Sequence, residues 1–144
     1  MALTPQELKK ALISAGFEVY RTSGQEVFLA DRARENLILD SGVRIRASEP
    51  IQIRLVMGIR RTQFPFEDEQ DLFARVRQLA EPLLSDGFAE MSTCVAPVTD
   101  PADRERTLDT FYEVMFAKSQ DGFDASLPSV KLALQVAKTA ESRH

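Results

Sequence analysis

The side chains that most often carry out covalent catalysis are scarce in this sequence of 144 residues. Its single histidine, His144, is the last residue, and a terminal side chain is usually solvated. Its single cysteine, Cys94, has no CxxC partner and no histidine to activate it, so we expect it to be a small buried hydrophobe. These features argue against Ser-His-Asp or Cys-His catalysis and against a histidine-ligated zinc site.

The glycines and the acidic residues also lack the patterns of a cofactor or metal site. The six glycines are isolated and form neither GxGxxG nor GxxxxGK. Gly58 alone interrupts a strand pattern, which predicts a bulge or the close approach of another backbone. The acidic residues at 67–71 lack the spacing of an EF-hand loop and suit the positive end of a helix dipole. We therefore expect no cofactor, no metal and no enzymatic activity.

Basic and acidic residues are unevenly distributed between the two parts of the chain. Residues 1–61 contain ten Lys or Arg against seven Asp or Glu, whereas residues 62–144 contain eight against fifteen. Eight of the ten basic residues in the first part are arginines, and no lysine lies between Lys10 and Lys118. Arginine can bind carboxylates and phosphates in a bidentate manner, so this bias is typical of a surface that recognises anionic groups.

Strand periodicity predicts that several arginines share one face of a sheet. Apolar residues alternate with polar ones from Val43 to Ala47 and from Ile51 to Arg61, which is typical of a sheet with one buried and one wet face. The predicted partner-binding residues on the wet face are Arg44, Arg46, Arg54 and Arg60. The alternative is a solvated face on which Glu26, Glu35 or Glu49 pairs with these arginines across strands.

Helix signals occur near both ends of the chain and in its middle. Thr4, Pro5 and Glu7 predict a capped helix from Pro5 to Ala15 that ends at Gly16. A second helix starts in the acidic run 67–71, should kink or end near Pro82, and stops by Gly87. Ser126 is predicted to cap a last helix from 127 to about 140, followed by a frayed tail at 141–144.

The remaining segments predict an antiparallel sheet. A short extended piece at 18–20 is followed by predicted strands at 26–31, 36–40, 43–47 and 51–61, with a turn at Ser41 and Gly42. Residues 88–98 and 108–118 predict a hairpin around a polar loop at 99–106. The order α-β-β-β-(β)-α-β-β-α indicates an α+β fold, in one domain at 1–144, with helices packed on one face of the sheet.

The overall composition is that of a globular protein. The sequence is 44% hydrophobic and 28% charged, and one cysteine allows no internal disulfide. Neither a signal-peptide pattern nor an apolar stretch of about 20 residues is present. We expect a cytoplasmic protein with no membrane partner.

The order of elements resembles the fold of bacterial type III secretion chaperones and YbjN-like proteins. The segment from Leu12 to Phe17, where a helix is followed by Gly16 and an aromatic residue, is similar to the start of YbjN-like domains. The resemblance implies a homodimer that binds unfolded or extended protein segments, with no catalytic residues to carry over.

Three hypotheses follow from the sequence. The first is a homodimeric, non-catalytic protein-binding module, either chaperone-like or a regulatory adaptor. The second is an arginine-dependent nucleic-acid or nucleotide binder, although the sequence shows no exposed aromatic residues interleaved with the arginines and the isoelectric point is near 5.1. The third is an enzyme that uses only carboxylates and arginine, which would need a deep pocket holding two carboxylates with raised pKa.

Overall fold

The computed structural model of the chain describes residues 3–34 and 36–142. The α-helices are α1 (Pro5–Ser14), α2 (Glu69–Leu79), α3 (Glu81–Ser85) and α4 (Phe123–Ser142). The strands are β1 (Val19–Ser23), β2 (Glu26–Arg34), β3 (Leu37–Arg46), β4 (Ile51–Arg60), β5 (Ala89–Asp100) and β6 (Asp103–Gln120). A short 3-10 turn at Arg61–Gln63 leads from β4 toward α2.

The described strands form one antiparallel sheet in the order β1-β2-β3-β4-β6-β5. Strand β4 lies inside the sheet and pairs with β6 without interruption from Ile51 to Arg60. Strands β1 and β5 are the two edges. This arrangement confirms the predicted α+β class and the predicted order of elements, with α3 as a short addition after α2.

The core lies on one face of the sheet, and helices cover that face. Alternate residues of β4 from Ile51 to Ile59 are buried, which confirms the predicted inward face. Leu8 and Leu12 of α1 belong to the same apolar cluster. The residues contributed by α2, α3 and α4 include Leu72, Val76, Leu83, Val130 and Ala133. Burial of such side chains supplies most of the stabilisation of a fold of this size.

The helix signals at the start of the chain and near Pro82 are confirmed. The Thr4 hydroxyl accepts a hydrogen bond from the Glu7 amide at 3.1 Å, and the Glu7 carboxylate accepts one from the Thr4 amide at 3.1 Å. This capping box holds the first turn of α1. Helix α2 ends at Leu79, and Pro82 lies in the first turn of α3, where its missing N–H is tolerated.

The predicted turn at Ser41 and Gly42 is wrong, because both residues lie inside the continuous strand β3. The register against β2 shifts between Phe28 and Ala30, so the two residues form an irregularity in the strand. Gly42 has a φ of +87° there, and the Ser41 hydroxyl donates to the Leu29 carbonyl at 2.7 Å. A Ser-Gly pair is compatible with a bulge as well as with a turn.

Two other predicted boundaries also change. The polar segment 99–106 was predicted as a loop, but β5 and β6 extend into it and only Pro101 and Ala102 connect them. Helix α4 begins at Phe123, so Ser126 is not its N-cap; the buried Ser126 hydroxyl donates instead to the Phe123 carbonyl at 2.5 Å. The backbone continues as helix to 142, and the rest of the predicted tail lies outside the described residues.

Candidate binding surface on the open sheet face

The face of the sheet that turns away from the helices carries the predicted arginines. We call this side the open face. Its outward side chains follow from strand register and include Arg21, Glu26, Phe28, Arg44, Arg46, Gln52, Arg54, Val56, Arg60, Phe111, Glu113, Met115 and Ala117. On β4, each outward residue is flanked by neighbours that point into the core, because alternate residues of this strand are buried.

Two of the predicted arginines lie directly opposite each other. Arg44 of β3 is the cross-strand partner of Arg54 of β4. Arg46, one pleat further along β3, is opposite Glu26 on one side and Gln52 on the other. Like charges at directly opposite positions destabilise a sheet unless other groups offset them. Neighbouring groups must therefore offset the repulsion between Arg44 and Arg54.

An aromatic ring lies beneath two of the guanidinium groups. The Arg21 guanidinium is 4.0 Å from the centroid of the Phe28 ring, and that of Arg44 is 4.7 Å from it. The Phe28 side chain is only 6% exposed. Cation–π contact of this kind is worth about 0.5–2 kcal/mol, so it offsets part of the repulsion between the arginines. It also fixes the position of Arg44.

Among the described residues, one carboxylate is seen to pair with this group of arginines, and Glu35, which the sequence also offered as a partner, lies outside those residues. Arg54 Nη1 is 3.4 Å from Glu26 Oε1, and Arg54 Nε donates to Gln52 Oε1 at 2.6 Å. Glu26 Oε2 and Arg44 Nε are both buried, and neither has a hydrogen-bond partner among the described residues. We call Arg21, Arg44, Arg46, Arg54 and Glu26 the arginine cluster. Its four cations and one anion leave hydrogen-bonding capacity for a further anionic group.

Arg60 does not belong to the arginine cluster. It shares the outward side of β4 with Arg54, but six residues separate them, which corresponds to roughly 20 Å along a strand. Its guanidinium is 5.0 Å from the centroid of the Phe111 ring. Of the four predicted site residues, the structure brings three together and places Arg60 at the opposite end of the strand.

Arg21 and Phe28 are members of this site that the sequence did not reveal. In β1 the segment is too short for a convincing alternation, and Val27, Phe28 and Leu29 form an apolar run without a visible period. All three of these β2 residues are buried, but Phe28 is buried beneath arginines rather than in the core beneath the helices. The register of β2 against β3 pairs Phe28 with Arg44 and so places Phe28 on the open face.

The middle of the open face is apolar. Val56 on β4 is opposite Met115 on β6, and Ala117 is opposite both Arg54 and Ala89. The solvent-facing side of an antiparallel sheet is ordinarily polar, so these outward apolar residues in interior strands depart from that pattern. Ala117 is 6% exposed, and Val56 and Met115 are half-buried, so the apolar centre is a small and partly covered strip of the open face.

Gly58 is explained by the approach of β6. A Cβ atom at Gly58 would lie 2.9 Å from Glu113 Cγ and 3.1 Å from the Tyr112 carbonyl oxygen. The register between β4 and β6 is regular at this point, so the predicted close backbone approach is correct and no bulge is present. The Glu113 side chain consequently lies across β4, and it forms no ion pair with the rest of the described chain.

Cys94 is exposed on β5, which contradicts the prediction that it is buried. The apolar signal of the segment was correct, but β5 is an edge strand that no helix covers over this stretch. Sequence periodicity does not distinguish an edge strand from an interior one, because that distinction depends on strand order.

The acidic run at 67–71 caps α2 and forms an ion pair with it. Asp68 is the N-cap of α2, and its carboxylate accepts the Asp71 amide at 2.8 Å. Glu67 accepts two hydrogen bonds from Arg75, at 2.6 and 2.5 Å, and the pKa of Glu67 is lowered by that contact. The guanidinium of Arg75 also lies 3.8 Å from the centroid of the Phe64 ring. These contacts attach the segment before α2 to the helix, and Glu69 and Asp71 lie in its first turn, as the helix-dipole interpretation predicts.

A Ser-Lys-Asp cluster lies between α3, β6 and α4. The Ser129 hydroxyl donates to Asp86 Oδ2 at 2.8 Å, while Lys118 Nζ is 3.0 Å from Ser129 Oγ and 3.1 Å from Asp86 Oδ2. The Ser129 hydroxyl bond lowers the pKa of Asp86 against the opposing effect of burial, and Lys118 lowers it further. Ser129 is buried, so the cluster connects three elements and presents no accessible nucleophile.

This cluster predicts a pH-dependent contribution to stability. A carboxyl group whose pKa is lowered in the folded state stabilises the fold above its ordinary pKa, here 3.8, and loses this effect as the pH falls through the folded value. We expect Asp86→Asn to lower the free energy of unfolding at pH 7 by about 1 kcal/mol, measured by urea denaturation. The difference from the unmodified protein should shrink as the pH falls below 3.8 and disappear below the folded pKa of Asp86.

The exposed Glu105 of β6 offers a control for the pH experiment. Glu105→Gln should leave the free energy of unfolding nearly unchanged at both ends of the pH range. A difference between Asp86→Asn and the unmodified protein that stays constant across the titration would contradict the assigned role of Asp86.

The described residues offer little else that suggests other chemistry. No group of three His, Cys, Asp or Glu residues there could hold a metal ion. None of the helices in the described ranges is long and apolar enough to cross a lipid bilayer. A groove of about 560 Å³ between α3 and α4 is lined mainly by uncharged residues, with Glu81 as its carboxylate.

Comparison with known proteins adds no relative: no protein-family model, no curated protein and no solved structure matches this chain.

Proposed function

We propose that this protein is a non-catalytic protein-binding module, chaperone-like or a regulatory adaptor, that works as a homodimer. The single observation that carries the proposal is the juxtaposition, on the open face, of the arginine cluster with an apolar centre. A solvated face would favour polar residues in its interior strands, whereas an interface combines apolar contact with a few directional polar groups. We further propose a cytoplasmic location, where the exposed Cys94 stays reduced.

The chemistry of the open face indicates the partner's chemistry. Arg44 has a buried Nε without a hydrogen-bond partner. Arg54 Nη1 lies 3.4 Å from Oε1 of Glu26, the carboxylate with which it pairs. Because the Arg44 Nε is enclosed, a glutamate or aspartate side chain of a partner could accept hydrogen bonds only from the partly exposed remainder of these two guanidinium groups. Apolar side chains on the same segment would cover Val56 and Met115. We therefore propose that the partner is an extended acidic protein segment with interspersed apolar residues.

A nucleic-acid partner has less support from the geometry. Single-strand binding usually needs an exposed aromatic ring on which bases stack. Phe28 is the aromatic residue inside the arginine cluster, and its ring is buried beneath Arg21 and Arg44. Net charge is −4, which also opposes phosphate backbones.

A labelled peptide tests the proposal. We expect a short peptide of alternating glutamate and leucine to bind the protein in fluorescence anisotropy, and more weakly as salt screens the charges. The double variant Arg44→Gln/Arg54→Gln should weaken binding at least roughly tenfold, because each lost charge-assisted bond contributes about 1.5–3 kcal/mol. Circular dichroism will verify that the variant is folded.

Two arginines elsewhere give a matched control. Arg104 and Arg106 are exposed on the part of β6 that extends beyond β4, so Arg104→Gln/Arg106→Gln makes the same change in net charge away from the arginine cluster. This control should bind the peptide like the unmodified protein. Equal weakening by both double variants would contradict the site. Tighter binding of single-stranded DNA than of the peptide, lost in Arg44→Gln/Arg54→Gln, would support nucleic-acid binding instead.

A further inference from the structure

The two edges of the sheet differ in how well they are protected against pairing. Strand β1 has five residues, carries Arg21 and has an irregular register beside it. Short length, charge and irregularity are the devices that keep edge strands from pairing with other chains. Strand β5 has twelve residues, and nearly all of them are exposed. The edge at β5 is therefore the one that remains open to another strand.

On β5, the features that discourage pairing with another strand lie on either side of its middle segment. A register irregularity occurs at Met91, and Pro97 removes one backbone donor further along. Between them, Ser92–Ala96 pair regularly with β6 and contain no charged residue. Glu90, just before this segment, is held by its own Arg77, with Arg77 Nε 2.7 Å from Glu90 Oε1. We call Ser92–Ala96 the free edge segment.

We propose that a second copy of this chain pairs antiparallel with the free edge segment, symmetrically about Cys94. This inference depends on the proposed function only for its claim that the protein is a homodimer. Symmetric pairing places the two copies of Cys94 opposite each other, Thr93 opposite Val95, and Ser92 opposite Ala96. Thr and Val are both β-branched, and β-branched cross-strand pairs stabilise sheets.

Charge favours a second copy over an acidic segment as the occupant. The free edge segment offers no cation to a carboxylate, whereas it opposes a copy of itself without any like-charge pair. The pairing would also cover Val95 and Met91, which are 44% and 54% exposed in the single chain. Hydrogen bonds from outward-directed backbone groups would supply the rest of the interface.

Pairing at this edge would extend the open face instead of covering it. The twofold axis of an antiparallel pair of strands is perpendicular to the sheet, so both open faces lie on the same side. The two apolar centres then lie on the same side of the joined sheet, separated by the two β5 strands, and the arginine clusters lie beyond them. Five strand spacings separate one β4 from the other, or roughly 24 Å. The dimer would hold one extended acidic segment at two places.

Thiol crosslinking tests this register directly. Opposed residues in antiparallel strands have Cα atoms about 4.5–5.5 Å apart, which lies within the range of about 4.4–6.8 Å that a disulfide needs. We expect diamide, which accepts the two thiol hydrogens, to convert the protein to a Cys94-linked dimer on a non-reducing gel. In the Cys94→Ser background, a mixture of Thr93→Cys and Val95→Cys chains should crosslink faster than either chain alone.

A cysteine moved along the same strand is the control. Thr99 is also exposed on β5, but symmetric pairing about Cys94 places it far from its own copy. Cys94→Ser/Thr99→Cys should therefore form no covalent dimer with diamide and should migrate as a single chain on the non-reducing gel. Crosslinking as fast as that of the unmodified protein would show random collision and overturn the proposal.

A charged residue in the free edge segment separates this inference from the proposed function. We expect Val95→Lys to have the chain mass of 16.2 kDa in light scattering, against twice that mass for the unmodified protein, and to retain its circular dichroism spectrum. A folded Val95→Lys that stays dimeric would overturn the interface. If that monomer still binds the glutamate–leucine peptide, the open face functions without pairing. If the unmodified dimer does not bind it, the proposed function fails and the interface stands.

Discussion

Replacing Gly42 by alanine should lower the free energy of unfolding by about 3 kcal/mol. The φ of +87° at this residue is one that residues with a side chain rarely adopt, and holding one there costs about 1–3 kcal/mol. The added Cβ would also lie 2.8 Å from the carbonyl oxygen of Val56, so backbone must move. Urea denaturation of Gly42→Ala, analysed with an unchanged slope, measures the loss.

Gly24 provides the matched control for this substitution. It lies in the turn between β1 and β2 with a φ of +58°, and a Cβ there would have no atom within 4 Å. Gly24→Ala should cost only the conformational term, about 1 kcal/mol. Equal losses for the two variants would show that the contact with β4 has no energetic effect, and that the irregularity at Gly42 is not held by its neighbour.

Gly42 also shows where sequence reasoning reached its limit. A Ser-Gly pair permits a sharp turn or a bulge with equal ease, and the choice depends on whether the strand beyond it continues to pair with β2. The residues before the pair, from Leu37, do pair with β2. That information is tertiary, and the local sequence does not contain it. By contrast, the strict alternation in β4 specified its buried face correctly, because period-2 burial is a local property.

The candidate site likewise combines residues that local sequence predicts with residues that only the strand order identifies. Alternation alone placed Arg44, Arg46 and Arg54 on one face, and the register of β3 against β4 confirms that placement. The rise of a strand predicts a separation of roughly 20 Å between Arg54 and Arg60, so a shared face does not by itself place them in one site. Recruitment of Arg21 depends on an edge strand that pairs with β2 at Phe28, which only the strand order reveals.

The structure places two interpretations of the arginine cluster in direct competition. Glu26 does pair with Arg54, as the interpretation of a solvated face anticipated. Yet among the described residues one carboxylate pairs within a group of four arginines, and the side chains of Arg54 and Glu26 are only 26% and 19% exposed. A surface that existed only for solubility would gain nothing from gathering like charges beside an apolar centre. A surface that binds an anionic partner would gain from that arrangement, because the guanidinium groups attract the partner's carboxylates.

Removing the carboxylate of Glu26 distinguishes these interpretations, because stability and binding should change in opposite directions. In Glu26→Gln, four guanidinium groups remain close together without their anion. We expect the free energy of unfolding to fall by about 2 kcal/mol at low ionic strength, since removing one partner of a partly buried ion pair leaves the other charge uncompensated. Added salt should restore part of the loss by screening the repulsion. Urea denaturation at two salt concentrations measures both effects.

The same substitution should tighten binding of the glutamate–leucine peptide. In the unmodified protein, Glu26 occupies Arg54 and repels an incoming carboxylate; Glu26→Gln removes both effects, so we expect roughly tenfold stronger binding in fluorescence anisotropy. Glu113→Gln is the matched control, because Glu113 lies on the same face without an ion-pair partner in the described chain and glutamine keeps the Cγ that covers Gly58. It should change stability and binding only slightly. A Glu26→Gln variant that loses stability but binds the peptide no better would favour the solvated face, since the arginines would then serve only their own carboxylate.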